Sequence, residues 1–276
     1  MSAPAMLELR SVSKRFGGLQ AVNGLDLRVT QGSIHGLIGP NGAGKSTAFD
    51  LVSGLQPVTE GSIWLQGQDI TRLPVQSRVH HGICRTFQTP KLFEKMTALD
   101  VVRTGRHIHA RCGFIASTFG WRRKREDEAR VGEAAQRLLA RVGMEHDGDV
   151  PVANLSYGKR RLVEIARALA TEPKLLLLDE VASGLNPVET TSVGTLIRSL
   201  AADGLTIVVV EHDMPFVMGM CDEISVLNFG SKIAAGTPAD IAATPAVVEA
   251  YLGSPDTSRM PYRDQRRLQR AQHPSH

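Results

Sequence analysis

Apolar and polar positions alternate along the first part of the chain. Leu7-Glu8-Leu9 and, more clearly, Leu25-Asp26-Leu27-Arg28-Val29 repeat with a period of two, which predicts strands with one buried face. Gly17-Gly18 and Gln31-Gly32 punctuate them as turns. Residues 34–38 form a short apolar run that leads straight into a glycine-rich loop. Residues 48–53 then predict a helix ended by Gly54, and Ile63-Trp64-Leu65 a further strand. From about residue 89 to residue 154 the pattern turns helical. Residues 133–142 place Ala134, Leu138 and Val142 on one face, with Ala135 and Leu139 beside it, as an amphipathic helix requires. Beyond residue 154, helix and strand alternate. The span 159–170 carries Leu162, Ile165, Ala166 and Leu169 at helical spacing. Residues 175–178 and 206–210 are uninterrupted apolar runs of buried-strand length, and 224–228 is a third strand. Helices are predicted over 188–202 and 215–220. Such βα alternation implies a mostly parallel sheet covered by helices. No stretch repeats internally, so the arrangement occurs once.

Composition narrows this picture only slightly. The 276 residues are 42% hydrophobic and 22% charged, ordinary for a globular protein. No apolar run approaches the roughly 18 residues needed to cross a bilayer, and Met1-Ser2-Ala3-Pro4 lacks the features of a signal peptide; a cytoplasmic protein is expected. Cys84, Cys112 and Cys221 are widely spaced and odd in number, which predicts reduced thiols and no zinc site. The net charge of +4 gathers partly in residues 254–276, where five arginines face two aspartates. This basic tail is expected to be solvated and flexible. An apolar stretch from Phe114 to Trp121, followed by Arg122-Arg123-Lys124-Arg125, suits a membrane surface, a partner groove or ordinary local packing.

The chemistry begins at Gly39-Pro40-Asn41-Gly42-Ala43-Gly44-Lys45-Ser46-Thr47. This matches the phosphate-binding loop G-x-x-x-x-G-K-[ST], with an apolar strand before it and a helix after. Glycines let the backbone wrap a phosphate chain closely, and the amides at the helix start supply partial positive charge. Lys45 adds a full charge at the β- and γ-phosphates. The Ser46 hydroxyl is placed to ligate Mg²⁺, and Thr47 to contact phosphate. The loop alone announces only a nucleoside triphosphate.

A second acidic site follows Leu175-Leu176-Leu177-Leu178, where the run ends in Asp179-Glu180. A buried strand carries its C-terminal end to the sheet edge where ligands bind. Asp179 is expected to hold Mg²⁺ through its water shell. Glu180 is expected to polarise the water that attacks the γ-phosphate.

Leu155-Ser156-Tyr157-Gly158 opens the amphipathic helix upstream of Asp179. Ser156 and the amides near Gly158 cap that helix as an anion site. Lys159, Arg160 and Arg161 crowd the same positive end, where unpaired cations would cost about 0.3–1 kcal/mol each until an anion arrives. The segment resembles the L-S-G-G-Q signature of the ATP-binding cassette (ABC) family, with Tyr157 in place of the first glycine and Lys159 in place of the glutamine. Other family motifs follow the resemblance in order. Gln88, in Arg85-Thr86-Phe87-Gln88, resembles the glutamine loop that reaches Mg²⁺ and the attacking water. Ser183-Gly184-Leu185-Asn186-Pro187 resembles the D-loop, with Asn186 where aspartate is commoner. His212, in Val210-Glu211-His212-Asp213, resembles the switch histidine at the γ-phosphate, and Phe16 the aromatic residue that stacks on adenine. The resemblance spans roughly residues 6–253.

The resemblance implies an α/β fold: a P-loop NTPase (RecA-like) core, an N-terminal antiparallel β subdomain and an inserted helical subdomain near 89–160, all within one cassette of residues 1–253. It implies ATP and Mg²⁺ as ligands, with Glu180, His212 and Gln88 catalytic and Ser46, Gln88 and Asp179 at the metal. It also implies a second cassette, identical or different, whose Ser156, Tyr157 and Gly158 close over the first cassette's ATP. The stretches Arg15-Phe16-Gly17-Gly18-Leu19-Gln20-Ala21-Val22-Asn23 and Ile83-Cys84-Arg85-Thr86-Phe87-Gln88 resemble the ATP-binding subunits of branched-chain amino acid importers. The implied partners are membrane permease subunits and, through them, an external substrate-binding protein, with the chain peripheral on the inner membrane face. No nucleic acid is expected; the alternative is a soluble ABC ATPase that remodels a nucleic-acid or ribosomal partner.

Overall fold

A computed structural model describes residues 4–86, 95–106 and 121–252, without the side chains of 121–127 and 252. Gln88, Cys112, the segment from Phe114 to Gly120 and the basic tail lie outside the described residues. Two sheets form the frame. The first is antiparallel, in the order β2-β1-β4-β5, from β1 (Ala5–Phe16), β2 (Leu19–Thr30), β4 (Glu60–Leu65) and β5 (Gln68–Asp69). The alternation at 25–29 becomes β2, where Leu25, Leu27 and Val29 are buried and Asp26 and Arg28 exposed.

The second sheet runs in the order β10-β9-β3-β8-β7-β6. Its strands are β3 (Ile34–Ile38), β6 (Ile83–Arg85), β7 (Leu175–Asp179), β8 (Thr206–Val210), β9 (Glu223–Asn228) and β10 (Ser231–Gly236). All its pairings are parallel except β10 against β9. Strands β3, β7 and β8 are buried at every residue, because both faces are covered. Leu175 and Leu177 join Leu37, Val208, Val210 and Phe49 in a core between the two sheets. Leu176 and Leu178 point the other way, into a helical core with Ile38, Ile165, Val193, Ile197 and Val209. That split is the period-two geometry of a strand and explains why the strand reads as an unbroken apolar run.

The helices are α1 (Lys45–Ser53), α2 (Val75–His80), α3 (Ala98–Arg106), α4 (Trp121–Arg141), α5 (Tyr157–Leu169), α6 (Pro187–Ala202), α7 (Met214–Met220), α8 (Pro238–Ala242) and α9 (Pro245–Leu252). Two differ from their sequence pattern. Helix α4 buries Ala135 and Leu139, which flank the expected face, while Ala134 and Leu138 are half-buried; Val142, just past its end, is buried as expected. Helix α5 is buried on nearly all sides: Val163, Ile165, Ala166 and Leu169 are inside, and so are Arg161 and Glu164, each 0% exposed. An amphipathic pattern hides this, since the helix lies between the sheet on one side and α3 and α4 on the other. Short elements such as α2, β6, β10 and α8 carry too little periodicity to be read from the sequence.

Candidate functional site

The sheet converges the candidate residues on one edge. Leu37 on β3 and Asp179 on β7 are both level with Val210 on β8, so the loop after β3 and the acids after β7 leave the same C-terminal edge. Helix α1 starts from Gly44 in the left-handed region, φ 101°, with no side-chain cap. Its first amides therefore have no side-chain acceptor and point at an anion position. Gly44 cannot carry a Cβ, which would sit 2.5 Å from the Ala21 carbonyl oxygen. Lys45 folds back over the loop and donates to the Gly39 and Pro40 carbonyls at 2.7 and 3.0 Å. Burial pulls its pKa below the ordinary lysine value, against the raising effect of the Glu180 and Asp179 carboxylates nearby.

Glu180 turns out of β7 at φ 47°, a conformation uncommon for a side-chain-bearing residue, and its amide donates to the Val210 carbonyl at 2.9 Å. Such strain recurs at functional positions. The neighbouring strand continues into Glu211, whose Oε1 accepts the Ala182 amide at 2.7 Å. Burial raises its pKa, opposed by that amide and by His212. The imidazole of His212 is largely exposed, with Nδ1 4.0 Å from Glu211 Oε2. Phe16 ends β1, half-exposed, with the Lys14 ammonium 4.9 Å from its ring centre. Ser46 is exposed at the start of α1.

The signature-like segment sits at the start of α5. Ser156 caps it, its Oγ accepting the Lys159 amide at 3.3 Å, which leaves the hydroxyl proton for an outside acceptor. The expected cluster of unpaired cations is not there. Lys159 Nζ lies 2.8 and 2.9 Å from the two Asp147 oxygens, Arg160 donates to the Leu155 and Ala153 carbonyls, and Arg161 pairs with Glu164 at 3.1 Å. Carboxylates pair with Lys159 and Arg161, and backbone carbonyls hold Arg160, before any ligand arrives. Tyr157, the departure from the family glycine, packs against Gly184. Its hydroxyl accepts from Arg161 Nη2 at 3.0 Å, and the same nitrogen reaches the Glu180 carbonyl at 3.4 Å. The Asn186 side-chain oxygen accepts the Val188 and Glu189 amides at 3.0 Å, and the Asn186 backbone amide donates to Glu189 Oε2 at 3.1 Å in return. The amide side chain thus supplies the N-cap that an aspartate would.

Sequence reading missed one cation here. Arg85, at the end of β6, donates from Nη2 to Asp179 Oδ2 at 2.7 Å and from Nη1 to Asp50 Oδ1 at 2.5 Å. An arginine closing a three-residue strand has no local signature, and its partners are distant in sequence. Among the described residues no cluster of three or more His, Cys, Asp or Glu could hold a metal alone. The available donors, the Ser46 hydroxyl and the Asp179 carboxylate, are hard oxygens. A guanidinium already drawn to Asp179 marks a cation-attracting position. The set fits Mg²⁺, which takes one or two protein oxygens and completes its shell with phosphates and water.

A strand, phosphate loop and helix facing two acids at a parallel sheet edge define a P-loop nucleotide-binding protein. The chain belongs to the ABC transporter family, whose model matches residues 22–183. A second model, the branched-chain amino acid ATP-binding cassette transporter, matches residues 231–257. The high-affinity branched-chain amino acid transport ATP-binding protein BraF of Pseudomonas aeruginosa is 41% identical over 92% of this chain and 99% of its own. A nucleotide-free ATP-binding cassette from an ABC transporter superposes with a TM-score of 0.80 at 32% identity, covering 91% of this chain and 100% of that one. A dimeric post-hydrolysis cassette bound to ADP and phosphate gives 0.72 at 25% identity, over 84% of this chain and 99% of that one.

Proposed function

We propose that this chain is the ATP-binding and ATP-hydrolysing subunit of an importer for branched-chain or related amino acids. The observation that carries this reading is the convergence of Lys45, Asp179 and Glu180 at the edge of β3, β7 and β8. Residues 39–47 wrap the phosphates, and Lys45 exchanges its loop carbonyls for β- and γ-phosphate oxygens. Phe16 stacks on adenine. Mg²⁺ would be held by Ser46 and Asp179 and, if the resemblance to the family's glutamine loop holds, by Gln88, and when bound it neutralises charge on the phosphate chain. Glu180 orients and polarises the attacking water, and His212 contacts the γ-phosphate. Positioning and electrostatics do most of the work in such reactions.

Ser156, Tyr157 and Gly158 complete the ATP site of a second cassette, and closure of the pair drives transport. The resemblance to BraF supports the amino acid cargo, and the dimeric cassette bound to ADP and phosphate supports pairing. Among the described residues no helix is long and apolar enough to cross a membrane. Separate permease subunits provide the passage, and the region of α3 and α4 receives them.

The test is ATP binding and turnover of the purified protein with Mg²⁺. Lys45→Ala is expected to lose ATP retention. Glu180→Gln is expected to keep binding and lose turnover by about 10²–10⁴-fold, with an ATP-dependent dimer accumulating. Unchanged binding in the first variant, or normal turnover in the second, overturns the reading.

A further inference from the structure

Arg85 joins two elements that the proposed metal site depends on. Asp50 lies four residues after Ser46 on α1, hence on the same helix face, and Asp179 closes β7. The guanidinium spans them with one nitrogen each, at 2.5 Å to Asp50 Oδ1 and 2.7 Å to Asp179 Oδ2. Its side chain is 9% exposed, as is that of Asp179, and the Phe49 ring lies 5.5 Å from its Cζ. A largely buried, planar fork of this kind fixes carboxylate orientation in a way a lysine cannot.

We infer that Arg85 is a positioning residue for the divalent-cation site: it holds Asp179 by one oxygen and suppresses cation binding until nucleotide arrives. This rests on the proposed role of Asp179. Among the described residues, the carboxylates Asp50, Asp179 and Glu180 gather here with the cations Arg85 and Lys45. Without the arginine the empty edge carries one further negative charge. It would then take a free divalent cation from solution and repel ATP not yet bound to metal. With the arginine in place, these groups carry one net negative charge instead of two while the site is empty. The phosphate chain then brings the extra negative charge that makes metal binding favourable.

The experiment measures Mn²⁺ binding to nucleotide-free full-length protein by electron paramagnetic resonance, beside thermal unfolding. Arg85→Gln is expected to tighten Mn²⁺ binding by at least about tenfold, the low end of what one unit charge at close range contributes toward a divalent cation. Asp179→Asn in the same background is expected to abolish the gain. Arg85→Lys keeps the charge and is expected to stay near the wild-type affinity. Unchanged Mn²⁺ affinity in folded Arg85→Gln overturns the inference. So does equal tightening in Arg85→Lys and Arg85→Gln, which would make the effect one of packing. Should Arg85→Gln fail to fold, Arg85→Lys alone decides: tightening overturns the inference, and wild-type affinity with loss of the fixed Asp179 geometry, read as a raised KM for Mg²⁺ in turnover, supports it. Because Mn²⁺ is read without nucleotide, failure here is distinct from failure of the ATP-binding reading, which Lys45→Ala tests.

Discussion

Gly158 at the start of α5 lies directly against Glu189 of α6: a Cβ on Gly158 would sit 2.4 Å from Glu189 Oε1. Glu189 cannot swing aside without loss, because its Oε2 accepts the Asn186 amide at 3.1 Å and completes the cap of α6. The signature-like turn and the segment from Gly184 to Glu189 are therefore fitted to each other within one chain. Tyr157 against Gly184 is a second contact between the same two segments.

Gly158→Ala is accordingly expected to cost about 0.5–2 kcal/mol, the value of a helix cap. Glu189→Ala removes both the cap and the obstacle, so adding Gly158→Ala to it is expected to cost little more. A double-mutant cycle by urea unfolding checks this; strictly additive losses would show that the two residues do not interact.

The phosphate loop leads to a sharper expectation. Gly44 combines φ 101° with a carbonyl 2.5 Å from any Cβ, so alanine meets both backbone strain and a clash with Ala21. Gly44→Ala is expected to lose at least about 2 kcal/mol of stability and to weaken ATP retention more than tenfold. Isothermal titration with MgATP, at a temperature where the variant remains folded, separates the two effects.

Inside α5, Arg161 and Glu164 form an ion pair with both side chains fully buried. Removing one partner strands a charge in the interior. Glu164→Ala is expected to destabilise the fold by about 3–5 kcal/mol. Tyr157→Phe keeps the ring on Gly184 and loses only the hydroxyl that Arg161 reaches at 3.0 Å, for about 1 kcal/mol. Chemical unfolding of the two variants is expected to rank them in that order, and equal losses would contradict it.

Much of the fold was legible because its signals are local. The apolar runs that became β7 and β8 have no polar member until the acids at their end, and the phosphate loop carries its identity in consecutive residues. What escaped was set by partners distant in the chain. Along α4 the pattern could not rank Leu138 above or below Leu139, which are equally apolar, and only packing against α3 and α5 makes Leu139 the one that points fully inward. The basic residues after Ser156 look unpaired in sequence, since Asp147 precedes Lys159 by twelve positions and Glu164 lies within an apparently apolar stripe. Arg85 belongs to the site only because parallel β6 and β7 bring it beside Asp179.

The core of the sheet carries its own pH response. His35 on β3 is 0% exposed, with Nε2 3.0 Å from Ser225 Oγ. Glu223 Oε2 is 3.8 Å from Nδ1, too far for a hydrogen bond. Burial, aided by the Lys232 charge, lowers the pKa from 6.5 to about 4. The unfolded chain then binds a proton that the folded one refuses between those two values, so stability is full above pH 6.5 and is lost as pH falls toward about 4. The shift amounts to about 3 kcal/mol. His35→Gln has no proton to gain and is expected to show a flatter stability curve across this window, whatever its stability at neutral pH. Urea unfolding of both proteins at pH 7 and at pH values down to about 4.5 measures the slope. Parallel curves for the two proteins would mean that the buried imidazole is not the group that titrates.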